Sequence, residues 1–141
     1  MGRLILPDSG LIYLDANCLI YTVEHISPYD GLLQPVWQRG AVLTSELSRL
    51  EVLVKPLQAE DSLLQCIYRD LLSAAEVDRH PLTTEVLERA AQLRANFGIK
   101  TPDAIHAATA LIRNAALFLS NDDGFKRVPD LPFQYLKALI D

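Results

Sequence analysis

Short apolar runs alternate along the chain with longer stretches in which apolar residues recur at the spacing of a helix. The predicted strands occupy residues 11–14, 41–43, 77–82, 117–119 and 133–136, and the first, second and fourth of them are apolar throughout. Strands that are apolar without interruption are typical of a parallel sheet that helices cover on both faces. The pattern therefore predicts an α/β fold, a three-layer α/β/α sandwich with a central parallel sheet.

The intervening stretches carry residues that begin and end helices. Thr44 or Ser45 caps a helix whose first turn carries Glu46, and Thr101 caps another in which Pro102 takes the first helical position. The other predicted helices cover residues 16–23, 28–39, 59–76 and 84–97.

Length and composition indicate one folded domain over residues 1–141. The chain has 141 residues, of which half are apolar and 22% are charged. No apolar run reaches the roughly 18 residues of a membrane span, and no N-terminal stretch has the pattern of a signal peptide. We therefore expect a cytoplasmic protein without a membrane partner. Cys18 and Cys66 lie in apolar surroundings and are interpreted as small core residues.

Four acidic residues lie at positions that the predicted fold brings to one edge of the sheet. Asp15 directly follows the first strand and Asp122 follows the fourth, and ligands of parallel sheets bind at such carboxyl ends. Asp103 lies in the first turn of the helix before the fourth strand, and Glu51 lies two turns into the helix after the second. Each acid also has a purely structural interpretation, as a helix cap, dipole partner, turn former or half-buried surface residue. Glu46 competes with Glu51 as the second acid.

Taken together, the four acids favour a site for a cation. Two unit charges ~4 Å apart repel by about 4 kcal/mol at an effective dielectric near 20. The total stability of a domain is only about 5–15 kcal/mol, so clustered carboxylates imply bound cations or raised pKa values. Oxygen ligands without His or Cys companions suit Mg²⁺ or Mn²⁺.

Four strings of residues resemble the motifs of the PIN-domain family, in the family's order and at similar separations. Residues 13–17 resemble the first motif, an apolar strand that ends in Asp-x-Asn. Residues 45–53 resemble the second, in which an acidic metal ligand follows a Ser by six positions, and this spacing favours Glu51 over its competitor. Residues 101–110 are close to the third motif, and residues 119–125 resemble the fourth, Thr/Ser-x-Asp-x-x-Phe. The resemblance covers essentially the whole chain.

This resemblance implies a PIN fold, and the closest group is the VapC-type toxins of bacterial toxin–antitoxin pairs. It implies Mg²⁺- or Mn²⁺-dependent cleavage of RNA, a homodimer, and inhibition by a small antitoxin protein whose tail reaches the acidic site. By the resemblance, the metal ligands and catalytic residues are Asp15, Glu51, Asp103 and Asp122.

The resemblance also implies roles for polar residues beside the acids. Asn17 and Ser120 would orient the ligands or the attacking water. Many family members carry a further acid just before the Phe of the fourth motif, where this chain has Gly124. Asp123 is one position out of that register, and it either shares the metal or faces solvent.

The formal net charge of −5 is unusual for a protein that binds RNA, because affinity for a phosphate backbone comes mainly from Lys and Arg. Part of the negative charge belongs to the predicted metal site. Five basic residues near the proposed crevice are candidates for backbone contacts: Arg49, Lys55, Arg113, Lys126 and Arg127.

Other interpretations of the same residues stay open. His106 follows Asp103 by one turn and shares a face with Thr109 and Arg113, so a solvated or hydrogen-bonded histidine is favoured over a catalytic one. A PIN fold without catalysis would serve as an RNA-binding or assembly module. A receiver-like, Mg²⁺-binding signalling domain would need a final helix, for which the five residues after Leu136 give no room.

Overall fold

The computed structural model describes residues 2–140, which form a five-stranded sheet and six α-helices. The strands are β1 (Ile12–Leu14), β2 (Val42–Ser45), β3 (Val77–His80), β4 (Leu117–Ser120) and β5 (Phe133–Tyr135). The helices are α1 (Ala16–Val23), α2 (Tyr29–Arg39), α3 (Leu47–Gln58), α4 (Ser62–Ser73), α5 (Thr84–Phe97) and α6 (Thr101–Ile112). Two 3-10 turns, Asp123–Arg127 and Leu136–Leu139, follow β4 and β5.

The sheet is parallel, and its strand order is β3-β2-β1-β4-β5. The chain builds toward one edge from β1 to β3 and toward the other edge with β4 and β5, so the direction reverses between β1 and β4. Ligands of open α/β sheets bind in the crevice at such a switch point, beyond the carboxyl ends of the strands. The register pairs Leu14 with Leu119, which places Asp15 beside Ser120.

Alternate residues of the strands feed two separate cores, one on each face of the sheet. Tyr13, Leu43 and Phe118 pack against α5 and α6, where alanines such as Ala104 allow a close approach of helix to sheet. The opposite core contains Leu14 and the helices α1 to α4. Helices on both faces of a parallel sheet confirm the predicted three-layer α/β/α sandwich. A receiver-like domain has the strand order 2-1-3-4-5, so the observed order excludes that interpretation.

Local signals located the helices, and the structure corrects the bounds of three of them. The helix predicted over residues 59–76 spans only Ser62–Ser73, because Asp61 caps it by accepting a hydrogen bond from a backbone N–H. The N-cap of α6 is Lys100 and not Thr101, which is the first helical residue. Glu46 precedes α3 and does not lie in its first turn, because β2 continues through Ser45.

One expectation about the core is wrong. Cys66 is exposed on α4, whereas Cys18 is buried as predicted. Within residues 2–140, no helix has both the length and the apolar character needed to cross a membrane.

Candidate active site

A cavity of about 520 Å³ lies at the carboxyl edge of the sheet, next to the switch point between β1 and β4. The four acids singled out from the sequence all line it, although they come from separate parts of the chain. A fifth acid in the wall, at the end of α1, was missed. The acidic lining is Asp15, Glu24, Glu51, Asp103 and Asp122, and the apolar lining includes Ile20, Ile26, Leu50, Val52 and Val54.

Asp15 caps a helix and faces the cavity at the same time. It is only 5% exposed. Its Oδ1 accepts a hydrogen bond from the backbone N–H of Cys18 at 3.1 Å, and its Oδ2 accepts one from the hydroxyl of Ser120 at 2.5 Å. Burial raises the pKa of the Asp15 carboxyl, because the charged form loses its hydration. A carboxylate offers about four lone-pair sites, so two hydrogen bonds leave room for a further ligand.

Ser120 connects the ends of β1 and β4. Its buried hydroxyl donates to Asp15 and accepts from the backbone N–H of Asp122 at 3.0 Å. The Oδ1 atom of Asp122 in turn accepts from the backbone N–H of Gly124 at 2.8 Å. A Cβ at position 124 would lie 3.0 Å from that same oxygen, so glycine lets the turn close tightly on the carboxylate.

Asp103 is a carboxyl of the cavity whose pKa is raised by a neighbouring acid as well as by burial. Burial, together with a hydrogen bond to Asp122 and the negative charge of that neighbour, raises the pKa of Asp103 to about 7. Asp103 therefore keeps a proton to a higher pH than an ordinary aspartate does. Without a cation, the proton between the two side chains relieves their repulsion.

Glu51 is held by His106, and the sequence did not reveal this contact. The Nε2 atom of His106 lies 2.6 Å from Oε1 of Glu51, and its Nδ1 atom lies 2.5 Å from the hydroxyl of Tyr13. His106 is only 2% exposed, so its face of α6 is covered by protein and not solvated. The expected hydrogen bonding of His106 is confirmed, but both of its partners are side chains distant in sequence.

Glu46 lies outside the acidic cluster. Its carboxylate pairs with Arg49 at 2.9 Å and with Arg79 of β3 at 3.4 Å. Of the two competing acids, only Glu51 belongs to the part of the described chain that lines the cavity. The geometry therefore favours Glu51 as the second acid of the site.

Two further polar candidates, Asn17 and Asp123, differ in whether they line the cavity. Asn17 is exposed and lines the cavity, in the first turn of α1. Asp123 is exposed and lies outside the cavity wall formed by the described residues. Of its two predicted roles, the structure favours an acid that faces solvent.

Glu24 adds a carboxylate to the far side of the cavity. The hydroxyl of Tyr68, a buried residue of α4, donates a hydrogen bond to it. Burial, followed by that hydrogen bond and the negative charge of Glu24, raises the pKa of Tyr68 well above its ordinary value, so the phenol stays a donor. No local signal marks Glu24 in the sequence, because its partner is on another helix.

The sequence as a whole matches the profile of the PIN domain over residues 12–131. The match includes β1, β4 and every acid that lines the cavity. The chain belongs to the PIN-domain family. No curated protein matches it significantly.

Solved structures show how widely this PIN fold is shared. VapBC2 from Rickettsia felis, bound to a promoter DNA fragment, has a TM-score of 0.72 and 19% identity, covering 89% of this chain and 98% of its own. A toxin–antitoxin complex from Klebsiella pneumoniae has a TM-score of 0.72 and 21% identity over 87% and 95%. VapC20 from Mycobacterium tuberculosis, a toxin that cleaves the sarcin–ricin loop, has a TM-score of 0.72 and 13% identity over 86% and 97%. At these identities the likeness concerns the fold.

Basic residues contribute less to the PIN cavity than the sequence suggested. Of the five candidates, Lys55 lines the cavity. Arg49 pairs with Glu46, and Arg113 pairs with Asp78 of β3 at 2.5 Å. Lys126 lies over the ring of Tyr135, and Arg127 donates to a backbone carbonyl.

The donor set of the cavity fits a hard divalent cation. Among residues 2–140, no three acidic, histidine or cysteine side chains are gathered tightly enough to enclose an ion by themselves. Mg²⁺ usually keeps several waters and takes one or two carboxylates from the protein, so an open arrangement suits it. The buried Asp15 and the mutually repelling pair of Asp103 and Asp122 supply oxygen ligands and an excess of negative charge.

Proposed function

We propose that this PIN domain is a metal-dependent endoribonuclease that hydrolyses RNA phosphodiester bonds. The observation that carries the proposal is the convergence of Asp15, Glu51, Asp103 and Asp122 on one cavity at the switch point of the sheet. Placing these acids together is costly, because like charges repel and because burial removes hydration from Asp15 and Asp103. A cluster that the fold retains at such a cost is expected to serve binding or catalysis.

The carboxylates would bind Mg²⁺ or Mn²⁺ and a water molecule beside it. An ion bound in the cavity would lower the pKa of that water and polarise the phosphodiester. Asp15 is fixed by Ser120 and by its capping bond to Cys18, so it offers its remaining lone pairs in a set direction. Asp103 and Asp122 lie close enough to share a proton, and they would give it up on binding the cation. Asn17 is exposed at the cavity and is placed to orient substrate or water.

RNA is the substrate class that the proposal names. In its support, VapC20 from Mycobacterium tuberculosis, which shares the fold, cleaves the sarcin–ricin loop. The acidic cavity contains one lysine, Lys55, and its negative charge disfavours tight binding of a phosphate backbone without a cation. We therefore infer weak, metal-dependent affinity for RNA.

The proposal includes the role of the toxin in a type II toxin–antitoxin pair. Several proteins of the same fold were solved as toxin–antitoxin complexes. Beside the cavity, α3 and α4 expose large apolar side chains that a small partner protein would cover: Leu50, Val54, Leu57, Leu63 and Ile67. An antitoxin encoded next to this chain should copurify with it and inhibit cleavage. The homodimer stays part of the proposal, and sedimentation of the purified protein measures it.

The proposal is tested by incubating the purified protein with a panel of cellular RNAs and mapping the cut ends. We expect cleavage with Mg²⁺ or Mn²⁺, none with EDTA, and a loss of at least about 100-fold for Asp15→Asn, in the range seen when a catalytic contact is removed. Asp130→Asn is the matched control, because it removes one exposed carboxylate at a distance from the cavity lining.

The same experiment separates the enzyme from a catalytically silent PIN module. If wild type and Asp15→Asn leave every RNA equally intact while the wild type still binds RNA, the nuclease proposal fails and the binding module takes its place. Cleavage that survives both EDTA and Asp15→Asn would indicate a contaminating nuclease.

A further inference from the structure

His106 joins the rigid core of the sheet to Glu51, an acid of the cavity lining. Tyr13 is fully buried in β1, and its ring stacks on that of Phe118 in β4 with the centroids 4.8 Å apart and the planes 4° from parallel. The hydroxyl of Tyr13 lies 2.5 Å from Nδ1 of His106. The two rings also meet edge to face, with their centroids 5.7 Å apart. The imidazole therefore has a fixed position and a fixed plane.

The direction of the hydrogen bonds follows from the chemistry of the groups. A tyrosine phenol holds its proton at neutral pH, so the hydroxyl of Tyr13 donates to the lone pair on Nδ1 of a neutral imidazole. The carboxylate of Glu51 can only accept, so Nε2 of His106 carries a hydrogen and donates it to Oε1 at 2.6 Å. Both ring nitrogens of the histidine are used, and each has one partner.

Glu51 needs such a support more than Asp15 does. Its side chain lies on α3, is 28% exposed and has three rotatable torsions. In contrast, Asp15 is short, buried and held by its own cap. The bond from His106 engages Oε1, so the second oxygen of Glu51 is left for a ligand in the cavity.

We propose that His106, held by Tyr13, is a positioning residue that fixes the Glu51 carboxylate at the cavity for binding of a divalent cation. The inference rests on the proposed function, since it names how one ligand of the proposed metal site is held. Groups that orient metal ligands through hydrogen bonds typically change metal affinity by about 10- to 100-fold when they are removed.

The test uses two variants, each of which keeps one of the two hydrogen bonds of the imidazole and loses the other. The amide of His106→Asn reaches the position of Nδ1 and keeps the bond to Tyr13, whereas that of His106→Gln reaches the position of Nε2 and keeps the bond to Glu51. Both variants place an amide in the same buried pocket, so their cost in stability is similar. Thr109→Val is the control, because Thr109 is a buried residue of α6 whose hydroxyl bonds only to the Ile105 carbonyl of its own helix.

The measurement is the affinity for Mn²⁺ alone, by isothermal titration calorimetry on the full chain without RNA. We expect His106→Asn to weaken Mn²⁺ binding by about 10-fold or more, and His106→Gln to stay within about threefold of the wild type. Thr109→Val should bind as the wild type does. In the background of Glu51→Gln, His106→Asn should add less than about twofold, since the two residues act through one contact.

Several results would overturn the inference. If His106→Asn binds Mn²⁺ as tightly as the wild type, or if its effect multiplies fully with that of Glu51→Gln, His106 does not act through Glu51. If His106→Asn does not fold, Tyr13→Phe decides, because it removes only the outer hydroxyl; equal Mn²⁺ affinity of Tyr13→Phe and wild type then refutes the inference. If the wild type itself binds no Mn²⁺, the proposed function fails together with the inference.

Discussion

Replacing Asp103 by Asn should stabilise the metal-free protein and weaken its response to divalent cations. In the folded state, burial and the neighbouring Asp122 raise the pKa of Asp103 to about 7. In the unfolded chain an Asp has a pKa of about 3.9. The folded protein therefore binds the proton of Asp103 more tightly than the unfolded chain does. Asparagine keeps the shape and a hydrogen-bond donor toward Asp122 but has no charge.

The sign of the pH dependence follows from this difference. Below about pH 4 the carboxyl is protonated in both states and costs nothing, whereas above about pH 7 it is ionised in both and the folded state bears the full penalty. The free energy of unfolding of the wild type therefore falls as the pH rises from about 4 to about 7. Three pKa units correspond to about 4 kcal/mol, but Asp103 is half exposed and solvent screens it, so about 1–2 kcal/mol is expected.

The assay is urea denaturation of wild type and Asp103→Asn between pH 4 and pH 8 in the presence of EDTA. The variant should be about as stable as the wild type near pH 4 and more stable by about 1–2 kcal/mol at pH 8, or about 3–6 °C in Tm. Added Mn²⁺ should raise the Tm of the wild type more than that of the variant. Asp130→Asn controls for the change in net charge at an exposed position.

The reasoning is refuted if the difference in unfolding free energy between the two proteins does not change with pH. It is also refuted if Asp103→Asn is the less stable protein at pH 8. A gain in stability with an undiminished response to Mn²⁺ would keep the electrostatic argument but remove Asp103 from the metal site.

Two further predictions concern the residues around the acids. Ser120→Ala should lower the unfolding free energy by about 1–3 kcal/mol and weaken Mn²⁺ binding, because Asp15 loses a donor and the backbone N–H of Asp122 loses its acceptor. Urea denaturation measures the first effect and calorimetry the second. Unchanged values would contradict the bridging role of Ser120. Lys55→Ala should lower kcat/KM for RNA and reduce the slope of log kcat/KM against log salt by about 0.7, the value for one phosphate contact on a single strand. Lys137→Ala, at an exposed position outside the cavity lining, is the control, and an equal slope in Lys55→Ala and wild type would show that Lys55 touches no phosphate.

The sequence by itself was sufficient for the order of strands and helices, because the signals for these elements are local. Three of the strands contain uninterrupted apolar runs, and helices begin at caps such as Thr83, which accepts a hydrogen bond from the N–H of Val86. The positions of Asp15 and Asp103 are local as well, since one directly follows a strand and the other lies in the first turn of a helix.

Tertiary structure decided which side chains share the cavity and what holds them. Glu46 and Glu51 are one and a half helical turns apart, and the sequence left both open. The choice between them depends on Arg79, which reaches Glu46 from a neighbouring strand, and on His106, which reaches Glu51 from another helix.

The same reason explains why the role of His106 was missed. Helical periodicity correctly placed it on one face with Thr109, but periodicity cannot show whether that face meets solvent or protein. Its partners Tyr13 and Glu51 are 93 and 55 residues away in the chain. Local patterns therefore determine the position of a residue on its own helix or strand. Its burial and its hydrogen-bond partners depend on the packing of elements that are distant in sequence, and only the folded structure contains that information.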